Sequence, residues 1–153
     1  MKISPPMTGI LFLAVCCVSA LPALASPRII EGVARVIDGD TLVIGETVIR
    51  LADVDTPEMA QRCEKGPKEW RHCGAVAADR LKEVIANREL SCEERTVDDY
   101  DRSVARCHAG DLDLSRWLVQ QGLGLAFRRY STALVADEEE ARSRHAGIWQ
   151  TDF

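Results

Sequence analysis

Aliphatic and polar positions alternate from Ile29 to Leu51. Val33, Val36, Leu42, Val43, Val48 and Ile49 carry the apolar beats, and Gly-Asp and Gly-Glu pairs interrupt them. This rhythm predicts strands joined by tight turns. Residues 59–69 (MAQRCEKGPKE) lose it, are polar and contain Gly66-Pro67, which predicts a loop. From Trp70 to Asn87 the apolar spacing changes to three and four, through Val76, Ala77, Leu81, Val84 and Ile85, as on a helix. Leu90–Arg95 and Ser103–His108 alternate again around an acidic turn. A short helix is expected over Leu114–Gln121, with Asp113 as its N-cap and Gly122 as its stop. A strand over Leu123–Arg128 and a helix over Thr132–His145, ending at Gly147, complete the chain.

The order β-β-β-α-β-β-α-β-α is α+β. Several short strands with few helices suit a small Greek-key barrel with packed helices, the OB-type solution. The composition agrees with one compact domain: 153 residues, 46% hydrophobic and 28% charged. Aromatics are only 5%, so the core must rest on Val, Leu, Ile and Ala. The net charge of −5 excludes a general positive coat that would hold nucleic acid without specificity, though not a local basic patch.

Residues 1–25 read as a secretory leader. Lys2 precedes an apolar run from Gly9 to Leu21, and Ala23-Leu24-Ala25 forms an A-x-A cleavage site. The run is short for a membrane span and Pro22 ends it. The expectation is therefore one domain over residues 26–153, secreted or periplasmic, monomeric and not attached to a membrane. Of six cysteines, Cys16 and Cys17 fall in the leader. Cys63, Cys73, Cys92 and Cys107 remain, an even set suited to an oxidising compartment. Of three possible pairings, Cys63–Cys73 would close a polar loop and Cys92–Cys107 would link two strands across a turn. Their spacing contains no close pair of the kind that zinc sites use.

Charge is concentrated where strands should be apolar. Asp38-Gly39-Asp40-Thr41 interrupts one aliphatic run, and Asp53-Val54-Asp55-Thr56-Pro57-Glu58 follows Arg50 in another. Carboxylates flanked by Val, Ile and Leu are expensive to bury unless they meet a cation. Asp40 and Asp55 are candidate oxygen ligands for Ca²⁺ or Mg²⁺, completed by a backbone carbonyl and water. In a regular strand Asp53 and Asp55 share one face and Arg50 takes the other, so Arg50 joins the site only if the strand bends. Asp98-Asp99-Tyr100-Asp101-Arg102 adds a turn and a second arginine. Two arginines, two metal-holding carboxylates and Glu58 are the parts needed to hydrolyse a phosphodiester: neutralise the phosphate, grip its oxygens and activate water.

Asp38-Gly39-Asp40-Thr41, Arg50, Val54-Asp55-Thr56-Pro57-Glu58, Tyr100-x-Arg102, Leu118-Val119-x-Gln121-Gly122 and Gly147-Ile148-Trp149 follow one another in the order and approximate spacing of the staphylococcal nuclease-like (thermonuclease) family, which the chain resembles over about residues 29–149. The resemblance implies a five-stranded OB-fold barrel with three helices and Ca²⁺-dependent cleavage of DNA and RNA that leaves 3′-phosphates. It implies Asp40, Asp55 and the Thr56 carbonyl as calcium ligands, with Asp38 beside them. Glu58 would be the general base, Arg50 and Arg102 the phosphate clamps, Tyr100 a phosphate contact and Tyr130 a stacking side chain. Three positions depart from the pattern. Asp101 stands where the family commonly has Gly, Asp99 where the reference nuclease has Lys, and Arg128 replaces an aromatic with a guanidinium that still stacks.

Other charged and aromatic positions read as structural. Asp137–Glu140 is expected to be a solvated helix face. His72, His108 and His145 have no ligand spacing, and Trp70, Trp117 and Trp149 are expected to pack. The competing function is a catalytically silent module of the same fold that binds nucleic acid, polysaccharide or a partner protein.

Overall fold

A computed structural model describes residues 26–66 and 69–150. The expected leader, residues 1–25, lies outside them. In chain order the strands and helices are β1 (Ile29–Val36), β2 (Thr41–Ile44), β3 (Thr47–Leu51), β4 (Val54–Asp55), β5 (Arg62–Gly66), β6 (Glu69–His72), α1 (Cys73–Ile85), β7 (Glu89–Val97), β8 (Ser103–Ala109), β9 (Leu112–Asp113), α2 (Leu114–Gln120), β10 (Leu125–Ala126) and α3 (Val135–Ser143), followed by a 3-10 turn over Gly147–Gln150.

Strands β1, β2 and β3 form an antiparallel meander. The first half of β1 pairs with β7 while its second half pairs with β2, so β1 passes from one neighbour to the other. Gly32 lies at that crossing, with φ +146°, and a Cβ there would sit 2.9 Å from the Ile44 side chain. β7 pairs with β8, and β8 closes onto β3 in parallel. The result is a closed five-stranded barrel with three helices, the OB-fold. Leu42, Ile49, Leu51, Leu90, Ala105 and Cys107 fill it, and α1 covers one end with Ala77, Ala78, Leu81 and Ile85.

Both disulfides take the expected pairing. Cys92 and Cys107 are direct cross-strand partners on β7 and β8, and their Cα atoms are 4.0 Å apart. Cys63–Cys73 ties β5 to the first residue of α1. Asp113 caps α2 by accepting from the Arg116 N–H, and Gly122 ends that helix at φ +63°.

Five expectations fail. Residues 59–69 are not all loop, because Arg62–Gly66 and Glu69–His72 form a hairpin. The polar sequence hid it, since among the described positions of the two strands none is buried and nothing imposes alternation. The helix expected from Trp70 starts only at Cys73, and Trp70, 53% exposed, does not pack in the core. The strand expected over Leu123–Arg128 shrinks to Leu125–Ala126, paired with β4. The last helix is shorter than Thr132–His145, spanning Val135–Ser143. Among the described residues no helix is long and apolar enough to cross a membrane.

Candidate active site

The site is built where β3 ends. The chain breaks after Leu51: Ala52 donates to the Ala105 carbonyl, Asp53 takes φ +67°, and β4 resumes at Val54. This is the bend that Arg50 needs. Asp53 takes a different partner, Arg95, and Arg50 meets Asp55 instead of facing away from it. Its guanidinium donates through Nη1 to Asp40 Oδ1 at 2.9 Å and through Nη2 to Asp55 Oδ1 at 2.8 Å. One planar fork thus ties together two carboxylates, one from the β1–β2 turn and one from β4.

Asp40 is placed by the turn between β1 and β2. Asp38 Oδ1 accepts from the Asp40 N–H at 3.0 Å, the short-range side-chain bond that shapes such turns. Asp40 Oδ2 accepts from the Thr56 N–H at 3.1 Å, which draws the start of the Glu58 segment onto the turn. Gly39 permits this approach, because a Cβ there would meet Thr56 Oγ1 at 2.4 Å. Glu58 itself is exposed, and among the described residues nothing bonds to its carboxylate. Its backbone rests against α1: a Cβ on Gly74 would lie 1.8 Å from the Glu58 carbonyl oxygen.

Burial pushes the Asp40 carboxyl up from 3.8 to about 6, against the pull of Arg50 and the Thr56 N–H; Asp38 and Asp55 add to the rise. Asp40 is therefore short of positive charge even with its arginine in place. A divalent ion would supply that charge. Asp40 and Asp55, brought to one guanidinium, and the backbone carbonyl of Thr56, whose N–H bonds to Asp40, are the oxygen groups that would hold such an ion. Among the described residues no group of three or more His, Cys, Asp or Glu side chains could hold a metal, so any ion here rests on two carboxylates, backbone and water.

Arg102 comes from the turn between β7 and β8. Asp98 organises that turn, accepting from the Tyr100 and Arg102 N–H groups on Oδ1 and from Arg102 Nε on Oδ2 at 2.8 Å. Burial raises the Asp98 carboxyl, but these bonds outweigh it and hold it below its ordinary value. Arg102 pairs with Asp98, not with Asp101. Asp101 adopts φ +59°, so the left-handed turn that glycine favours is kept with an aspartate in it. Tyr100 is 81% exposed, with the Arg102 guanidinium 5.5 Å from its ring centroid.

Arg50, Arg102, Tyr100 and Tyr130 line one cavity of about 590 Å³. Phe127 joins them, 5.5 Å from Arg50 and edge-on to Tyr130 at 4.9 Å. Asp40 and Asp55 adjoin the cavity through Arg50, and Thr56 through Asp40, whereas Glu58 does not line it.

Two ion pairs that bear on the cavity carry no clear mark in the sequence. Arg95 donates to the buried Asp53 at 2.7 Å and lines the cavity. The only signal was an aspartate among aliphatics. Glu138 is not solvated: it is 5% exposed and accepts from the Ala126 N–H and from Arg128 Nη1. Arg128 is thereby fixed to α3 and does not line the cavity as a stacking group.

The family described as "Staphylococcal nuclease homologue" matches residues 48–151. The chain belongs to that family. It is 37% identical to the succinoglycan biosynthesis protein ExoI of Rhizobium meliloti over 79% of this chain, and it spans 65% of that protein, just under two thirds. It is 32% identical to the micrococcal nuclease of Shigella flexneri, covering 89% of this chain and 81% of the relative. It is 28% identical to the thermonuclease of Staphylococcus intermedius, covering 94% and 96%.

Proposed function

We propose that the protein is an exported, Ca²⁺-dependent nuclease that hydrolyses internal phosphodiester bonds of single-stranded DNA and RNA and leaves 3′-phosphates. The observation that carries this reading is the Arg50 fork, which holds Asp40 and Asp55 together beside a cavity that Arg102 also lines. Membership of a family with nucleases among its relatives supports it. The paired disulfides suit an oxidising compartment, with residues 1–25 removed and the domain acting as a monomer.

Asp40, Asp55 and the Thr56 carbonyl would hold the ion, and a bound Ca²⁺ would neutralise phosphate charge and orient water. The chain's own groups do the rest. Asp98 holds Arg102 along its Nε–Nη2 edge, and Asp40 and Asp55 each take one N–H from a different terminal nitrogen of Arg50, which leaves other N–H groups on both guanidiniums for phosphate oxygens. Charge that grows on those oxygens in the transition state is then met by donors already in place. Glu58, unencumbered, takes the proton from the attacking water. Tyr100 contacts a phosphate and Tyr130 stacks on a base.

The test is digestion of single-stranded DNA and RNA in millimolar Ca²⁺, with Mg²⁺ and EDTA arms and mass spectrometry of the new ends. Cleavage in Ca²⁺, loss of cleavage in EDTA and 3′-phosphate ends are expected. Intact substrate in Ca²⁺ would favour the second reading, a silent binding module, which the extra acids Asp99 and Asp101 beside Arg102 support. Such a module would keep its complex in EDTA.

A further inference from the structure

We infer that Arg95, buttressed by Asp53, reads a guanine base in the cavity beside the scissile phosphate. This rests on the nuclease reading for its substrate class and adds a sequence preference to it.

Asp53 is buried, with its side chain 6% exposed, and the left-handed backbone of the β3–β4 break turns it away from Arg50 toward β7. The break is fixed from a second side, because the Asp53 carbonyl accepts from the Phe127 N–H at 2.9 Å. Asp53 Oδ2 takes one N–H of Arg95 Nη1 at 2.7 Å. A guanidinium has five N–H groups in a planar fork, so parallel donors remain for a ligand. The Arg95 side chain is 41% exposed and lines the same cavity as Arg50, Arg102 and the aromatic rings.

Charge decides between a second phosphate and a base. Three arginines line the cavity (Arg50, Arg95, Arg102), against three aspartates (Asp53, Asp98, Asp99). With Arg50 and Arg102 assigned to the scissile phosphate, a second phosphate near Arg95 would meet no net positive charge. A neutral base with an acceptor edge meets no such obstacle. The cavity is also larger than a phosphate needs, within the range of small-ligand pockets. Tyr100, Phe127 and Tyr130 give it flat apolar walls, the surroundings in which unstacked bases of single strands are read. Guanine offers two adjacent acceptors, O6 and N7, that match parallel N–H donors. Adenine places a donor where guanine has O6. One such bidentate pair is worth roughly a 5- to 150-fold discrimination.

The experiment measures binding of fluorescein-labelled thymidine oligomers in EDTA, carrying one guanine, one adenine or one 7-deazaguanine at the same position. Cleavage in Ca²⁺ is followed in parallel. The wild-type protein is expected to bind the guanine oligomer at least about fivefold more tightly than the other two. Arg95→Gln should erase that preference. The double variant Arg95→Gln with Asp53→Asn, which leaves no buried unpaired charge, should erase it equally. Equal binding of the three oligomers by the wild type would overturn the inference, as would a preference that survives both variants. A wild type that binds with this preference but cleaves nothing in Ca²⁺ would overturn the nuclease reading and leave the role of Arg95 standing.

Discussion

Asp40 is the residue on which the site's electrostatics turn. Burial lifts its carboxyl to about 6 from 3.8, so between those values the folded chain binds more protons than the unfolded one. Its contribution to stability therefore falls as pH rises through that window, and the penalty is complete above about 6. Asp40→Asn lacks the titration. Followed by thermal unfolding in EDTA, the stability of the variant relative to wild type should rise from about pH 4 to about pH 6 and level off beyond. A flat or falling difference would contradict the burial. Asp101 makes a second case. An aspartate at φ +59° holds a turn in which glycine is unstrained, so Asp101→Gly should stabilise the protein by about 1 kcal/mol, measured by denaturant unfolding.

At the scale of elements, the Glu58 segment is clamped between the β1–β2 turn and α1. Thr56 bonds to Asp40, Gly39 allows the contact, and Gly74 lets the Glu58 backbone lie against the helix start, where Cys63–Cys73 anchors β5. Gly74→Ala has no room for its methyl group without moving that segment. It should lower turnover and cost on the order of 1–3 kcal/mol of stability, checked by kinetics and melting of one preparation. These clamps were only partly legible in the sequence. Alternation from Ile29 to Leu51 and the three-four spacing of α1 report buried faces, so barrel strands and helix were readable. The β5–β6 hairpin was not, because none of its described positions is buried to write a pattern. Arg50 meeting Asp55 was unreadable for another reason: period two places them apart, and only the left-handed Asp53 reverses that. Glu138 looked like one acid in a run of four, and nothing local marks the one that caps the Ala126 N–H.

Over the whole molecule the net charge is −5, yet three arginines face one cavity. Each is held by an acid, so the positive charge is local and oriented: Arg50 by Asp40 and Asp55, Arg95 by Asp53, Arg102 by Asp98. The barrel makes this possible by closing β3 on β8. That closure carries the strand end bearing Arg50 beside the turn bearing Arg102, although the two arginines are far apart in the chain. The order of motifs pointed to that convergence through the family resemblance, whereas periodicity alone reached only α+β. The central claim is that this convergence is a hydrolytic centre in which Glu58 activates water. Glu58→Gln tests it most directly, with Ca²⁺ affinity by calorimetry and turnover of single-stranded DNA measured on the same protein. The account predicts unchanged Ca²⁺ affinity and a turnover lower by roughly 10²–10⁴-fold. Turnover within a few-fold of wild type would contradict it.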